Sequence, residues 1–186
     1  MRRGIRPLPR VAAASDGRAE WGGKVSGDRF LLFQVAGDNF AVPVEFLREV
    51  VGAEQFEMGS NRPERECEIM MHQGLLIPAL DLGVVFGYGP GRRGAESRVL
   101  VGEGSGRRLG LVVDRVSDVA EATPRGVLPW PQGASALPAP CFRGIWCREE
   151  GVALILDPEG LAGLECVQRA VAAAGPPTSG GTGGPR

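Results

Sequence analysis

The side chains that could carry chemistry in this chain are few. There is a single histidine, His72, in the run Met70-Met71-His72-Gln73. A Ser-His or Cys-His nucleophile pair would have to be built on it, and its strand setting suits a surface or rim residue better than a catalytic base. Cys67, Cys141, Cys147 and Cys166 show no C-x-x-C spacing. With one histidine they make neither a zinc site nor a disulfide scaffold, and they are expected to be small buried hydrophobes. Gly87-Tyr88-Gly89-Pro90-Gly91 is glycine-rich, yet no Lys-Ser/Thr follows it as a phosphate loop requires, and it lacks the strand-loop-helix setting of a dinucleotide site. Asp81 and Asp157 each end a strand. They fall at equivalent places in two similar halves, where helix capping explains both. The expected inventory is therefore no catalytic residue, no metal and no cofactor, and a protein that is not an enzyme.

The elements holding these residues are short strands. Phe30-Leu31-Leu32-Phe33-Gln34-Val35, the turn Gly37-Asp38-Asn39 and Phe40-Ala41-Val42-Pro43-Val44 form a β-hairpin with Phe40, Val42 and Val44 on one face. Val44, Leu47 and Val51 suit one helical turn that leads into another strand. Ile69-Met70-Met71 and Leu75 to Leu80 make a second strand pair. Pro78 cannot donate to a ladder, which places its strand at an edge or at a bulge. Asp81 then caps a short helix, Leu82 to Phe86, closed by Gly87.

The pattern repeats at an offset of 69 residues: Phe40 matches Leu109, Val44 matches Val113, Leu47 matches Val116, Glu49 matches Asp118 and Val50 matches Val119. Gly144 to Asp157 echoes the second strand pair and its capping aspartate. A duplication of about five short strands per half points to two small barrels rather than a parallel sheet. Thr123 to Pro140 carries five prolines and reads as an extended surface loop. Asp157 and Pro158 start a C-terminal helix whose Leu161, Leu164, Val167 and Val171 form an apolar stripe against a barrel.

Composition narrows the function. The 186 residues hold 21 basic and 22 acidic side chains, a formal charge of −1, which offers no electrostatic case for nucleic acid or for an anionic membrane. Hydrophobic content of 43% permits a buried core. Residues 1–27 carry a net +4 and no apolar periodicity, so a disordered basic tail is expected, either a solvated leader or a tether to an acidic partner. Residues 28–169 form the core, net −6, with a linker between the halves at about 87–97. Residues 170–186 are the helix end and a flexible Gly/Pro tail. No stretch resembles a secretory signal or a membrane helix, so a cytoplasmic protein without membrane insertion is expected.

Phe30-Leu31-Leu32-Phe33, Leu47-Arg48-Glu49-Val50, Gly74-Leu75-Leu76-Ile77-Pro78-Ala79-Leu80-Asp81-Leu82 and Gly110 to Val119 occur in series, within about 135 residues that together resemble a CheW-like domain. Members of that family are coupling proteins of bacterial chemosensory arrays, or regulatory modules of CheA-type histidine kinases. The resemblance implies a mostly β fold of two intertwined five-stranded SH3-like barrel subdomains with short helices and a C-terminal helix. It implies a non-catalytic adaptor whose partners are the cytoplasmic tip of chemoreceptors, the regulatory domain of the kinase and other CheW-like proteins. Carried over by position, an apolar groove between the barrels would use Val44, Leu47, Glu49, Val50, Leu76 and Val99, with an amphipathic receptor helix laid on Val44, Leu47 and Leu76.

The chain also departs from the family pattern. Arg65-Glu66-Cys67-Glu68 stands where an apolar pair and Lys-Gly are usual, and Met71-His72-Gln73-Gly74 stands where Asn-Leu-Arg-Gly is usual. Gln73 thus occupies the place of an arginine often found in receptor contact, and an amide cannot make that arginine's bidentate bond to a carboxylate. Glu68 is expected to add a charge beside the groove. The departures imply a divergent member, one that keeps a single usual interface or serves a distinct set of receptors. Two other readings stand beside the adaptor: a modulator that binds receptors but not the kinase, and a small-molecule-binding or enzymatic β-barrel with His72 and Gln73 at its rim.

Overall fold

The computed structural model describes residues 29–55, 66–90, 94–104, 106–123, 126–131 and 139–174. The basic tail, most of the C-terminal tail and parts of the linker and of the proline segment lie outside the described residues.

Among the described residues eleven strands form two sheets. The strands are β1 (Arg29–Val35), β2 (Asp38–Pro43), β3 (Leu47–Gly52), β4 (Cys67–His72), β5 (Leu75–Asp81), β6 (Arg98–Gly104), β7 (Arg107–Val113), β8 (Arg115–Glu121), β9 (Val127–Pro129), β10 (Phe142–Arg148) and β11 (Gly151–Leu156). One sheet runs β8-β1-β2-β11-β10-β9 and the other β3-β6-β7-β5-β4. Apart from β9, the two orders are the same once β8, β1, β2, β11 and β10 are matched to β3, β6, β7, β5 and β4. This is the duplication seen in the chain, with one difference that the repeat does not reveal: each sheet takes strands from both halves. The crossings are a 3-10 turn at Val44–Phe46, between β2 and β3, and Asp114, between β7 and β8. Asp114 is pinned there, since its carboxylate accepts from the Ala36 amide at 2.6 Å and its own amide donates to the Gln34 carbonyl at 3.0 Å. The helical turn expected at Val44 is thus a single 3-10 turn, and the chain is extended from Leu47 onward.

Three apolar clusters hold the fold. Phe30, Leu32, Ala122, Trp146, Ala153 and Ile155 fill the first sheet's curl. Val99, Val101, Ala53, Met70, Ile77 and Ala79 fill the second. Taken in order these are repeat-related, three pairs at an offset of 69 and three at 76. The duplication therefore reaches into the two barrel interiors position by position. The largest cluster lies between the sheets and under the C-terminal helices, and contains Phe33, Phe40, Phe86, Leu100, Leu111, Phe142 and Leu161. Strands β1 and β6 are consequently apolar on both faces, which is why their sequences read as continuous hydrophobic runs.

The two sheets also bulge at matching places. The register of β3 on β6 shifts between Leu47 and Glu49, and that of β8 on β1 shifts between Val116 and Asp118. The extra residues, Arg48 and Ser117, are repeat partners. A bulge bends its strand, so the same bend is encoded twice. Gly102 sits opposite the first bulge, where an added Cβ would run into the carbonyl and ring of Phe46. Gly102→Ala is expected to cost about 2 kcal/mol, since overpacking of this kind typically costs about 1–3 kcal/mol. A thermal midpoint lower by about 6 °C would report it.

The capping expectations hold. Asp81 accepts from the Val84 amide at 3.2 Å at the start of α1 (Leu82–Val85), and Asp157 accepts from the Glu159 amide at 3.1 Å at the start of α2 (Pro158–Ala162). The C-terminal helix is broken at Gly163-Leu164 and resumes as α3 (Glu165–Ala174), yet Leu161 and Val167 are both buried and the stripe stays intact across the break. Strand β5 is interior rather than at an edge. Its ladder with β7 begins only at Ala79, so Pro78 lies where β5 has β4 alone as a ladder partner. The proline segment is not wholly a loop, because Val127–Pro129 forms the edge strand β9 and Trp130 stacks on Phe142 at 4.3 Å.

Candidate functional site

In the second sheet β3 and β4 are the two outermost strands, with three strands between them. They nonetheless meet. Glu49 on β3 accepts through Oε2 from the Gln73 amide at 3.0 Å, and the same oxygen lies 3.3 Å from His72 Nε2. Only a sheet curled round on itself brings its opposite edges into contact, so this polar seam closes the barrel side to side. Two features aim the groups. Gln73 and Gly74 form a two-residue β4–β5 turn with φ of +49° and +77°, the mirror-image hairpin geometry normally given to Asn-Gly. A glutamine is rare in that backbone region, and here its side chain reaches across to Glu49. His72 sits on the inward face of β4 with Glu68 and Met70, and is only 8% exposed. It is a buried seam residue rather than the surface or rim residue expected.

Apolar side chains flank the seam on its outer side. Val50, next to Glu49, is 42% exposed; Met71 and Leu76, cross-strand partners on β4 and β5, are 56% and 52% exposed. Leu75 adds to them. Among the described residues the other exposed large hydrophobics are Val119 and Val152, the repeat partners of Val50 and Leu76. Both halves thus leave the same positions open, with valine at the first in each half and the bulkier Leu76 in place of Val152 at the second. Met71 corresponds to Cys147, which is exposed rather than buried as expected, because it lies on the outward face of β10.

The residues expected at the site divide into three sets. Glu49, Val50, Gln73 and Leu76 lie at or beside the seam. Val44 and Leu47 are half-buried at the crossing between sheets, where Leu47 packs against the largest cluster. Val99 is 1% exposed inside the barrel, the counterpart of Phe30, and no partner can reach it without opening the sheet. Glu68 is likewise buried on the inner face of β4 rather than beside an open groove. Met71 and Leu75 were missed. Period-two alternation from buried Met70 would have turned Met71 outward.

Burial pushes the Cys141 thiol up to about 12, with smaller contributions from Cys166 and Asp157, so it stays protonated. The Cys67 thiol is pushed up by its hydrogen bond with Cys166 and then by burial. Among the described residues no three histidine, cysteine or acidic side chains are grouped to hold a metal ion. Tyr88, in the expected linker, donates to Asp38 Oδ2 at 2.5 Å, tying that segment to the β1–β2 turn. A cavity of about 130 Å³ lies between α3 and β7, lined by Pro78, Leu109 and Val167, well below the roughly 300–1,000 Å³ of metabolite sites.

The CheW-like domain family model matches residues 29–165, which spans both barrels and the seam. The chain belongs to the CheW-like domain family. It is 28% identical over 144 residues to the chemotaxis protein CheW of Klebsiella aerogenes, covering 77% of this chain and 86% of that one. It is 26% identical over 136 residues to a probable chemotaxis protein CheW of Rhizobium etli, covering 73% and 88%. The crystal structure of the scaffolding protein TtCheW from Thermoanaerobacter tengcongensis superposes with a TM-score of 0.66 at 22% identity, over 80% of this chain and 96% of that one. That likeness establishes the shared fold. Among the described residues no helix is long and apolar enough to cross a membrane.

Proposed function

We propose that this CheW-like chain is a non-catalytic scaffold of a bacterial chemosensory system, joining the cytoplasmic tips of chemoreceptors to the regulatory domain of a CheA-type histidine kinase. The observation that carries the reading is the exposed row Val50, Met71 and Leu76 beside a fixed carboxylate, on a domain of this family. Contiguous exposed apolar side chains rimmed by polar groups mark interaction sites. A receptor helix would lay its apolar stripe along that row with Val44 and Leu47 at one end, while Glu49 and Gln73 set its orientation. Val99 has no part in it. Scaffolding needs no acid, base or nucleophile. It works by holding receptor and kinase at high local concentration, so that modest contact energies become cooperative.

A second reading, a modulator that binds receptors but not the kinase, is favoured by one feature. Gln73 supplies an amide where a cation is usual in the family, and it is already engaged with Glu49. Calorimetric titration of the full chain against a receptor tip and against a kinase regulatory domain separates the two. Binding to both supports the coupling scaffold, binding to the tip alone supports the modulator, and binding to neither overturns both.

A further inference from the structure

The outer face of the β4–β5 hairpin has two unlike ends. At the turn end Met71 and Leu76 stand in solvent; at the other end Cys67 and Leu80, cross-strand partners on the same face, lie where α3 packs on the two strands. Leu80 is fully buried in the largest cluster, and Cys67 is half-buried against it. Cys166, in the first turn of α3, packs on the same cluster from the helix side and is also half-buried. The two free thiols meet there, the Cys67 S–H donating to the Cys166 sulfur. That bond divides their roles. As acceptor from Cys67, with the Val167 amide adding to it, Cys166 is held below the ordinary thiol value although burial and Glu66 push the other way, whereas Cys67 as donor is held above it. A thiolate is the nucleophile towards peroxides, and an adjacent thiol resolves the product as a disulfide.

We infer that Cys166 and Cys67 form an oxidation site, at which a hydroperoxide is reduced and the two sulfurs are joined as a disulfide between α3 and β4. The Cys166 sulfur attacks one peroxide oxygen and breaks the O–O bond; the other oxygen leaves with a proton as water or an alcohol, and Cys166 becomes a sulfenic acid. The Cys67 sulfur then displaces that hydroxyl, so that the S–S bond forms as the S–O bond breaks, and the Cys67 proton leaves with the hydroxyl as water. Two electrons pass from the sulfurs to the peroxide. The other cysteines are poorly placed for this. Cys141 is fully buried and its thiol stays protonated, and Cys147 lies on the outward face of β10 in the other sheet. Neither step involves the docking row.

The experiment treats the full chain, reduced and then freed of reductant, with one equivalent of hydrogen peroxide. The titratable thiols should fall from four to two, and dithiothreitol should restore all four. Trypsin leaves the four cysteines on four separate peptides, so mass spectrometry of the unreduced digest identifies the link, expected between residues 66–92 and residues 149–169. Cys67→Ala should leave Cys166 as a sulfenic acid that dimedone captures, and Cys166→Ala should leave Cys67 as a free thiol. The wild-type digest needs no variant, so the test holds if either substitution impairs folding. The oxidised chain should melt about 5 °C or more above the reduced one, because a bond closing so long a loop restricts the unfolded chain. A link from Cys166 to Cys141 instead, or oxidation confined to Cys147, would overturn the assignment. So would an oxidised chain melting at or below the reduced midpoint, since the bond would then form only by displacing α3.

Discussion

Leu76→Arg is expected to weaken binding of a chemoreceptor tip by at least about 30-fold, while the thermal midpoint stays within about 2 °C of wild type. Leu76 is 52% exposed on β5 and pairs across the ladder with exposed Met71. A guanidinium at this position stays in solvent in the free protein, where surface substitutions usually cost under about 0.5 kcal/mol. In the complex it must either be desolvated without a partner or hold the helix away from Val50 and Met71. Central interface positions typically cost about 2 kcal/mol or more when disrupted, which corresponds to that fold-change. Leu47→Arg is a poorer probe, because Leu47 packs on the largest cluster and its loss would lower stability as well as binding. Unchanged affinity in Leu76→Arg, with Val50→Arg also silent, would mean that the partner docks elsewhere.

Phe40→Ala should lower stability by about 4 kcal/mol, within the roughly 3–5 kcal/mol found for buried phenylalanines cut to alanine. Phe40 is fully buried on β2, stacked on Phe33 at 5.9 Å and on Phe86 at 5.2 Å. The row continues from Phe86 to Phe142 at 5.2 Å and from Phe142 to Trp130 at 4.3 Å, so it runs from the first half of the chain into the second. Phe40 also faces Leu154 across the parallel β2–β11 ladder, one of the joints between halves. Urea unfolding should therefore show an earlier midpoint in a single transition, because neither sheet is complete without strands of both halves. Two separated transitions, or an unmoved midpoint, would contradict the interleaved core.

Much of this molecule was legible in its residues. The 69-residue repeat, the short strands of alternating or fully apolar pattern and the two capping aspartates depend on local periodicity and local hydrogen bonding, and the folded chain keeps them. Family membership was legible too, since four spaced motifs survive the departures around Glu68 and Gln73. What a linear pattern does not carry is which strand lies beside which. Two equal halves could have folded as separate barrels. The crossings at Val44–Phe46 and Asp114 exchange strands between them, a choice made by long-range burial of Phe33, Phe40, Phe86 and Phe142 in one shared cluster.

The same long-range packing decided the site. Val50 and Val99 look alike in the sequence, yet one lies on an outer strand with its side chain in solvent and the other points into a barrel. Glu49 and Gln73, 24 residues apart, meet because the second sheet curls until its outermost strands touch. Side-chain type and period fix which residues prefer burial, but the curvature of a closed sheet determines which of them a partner can reach.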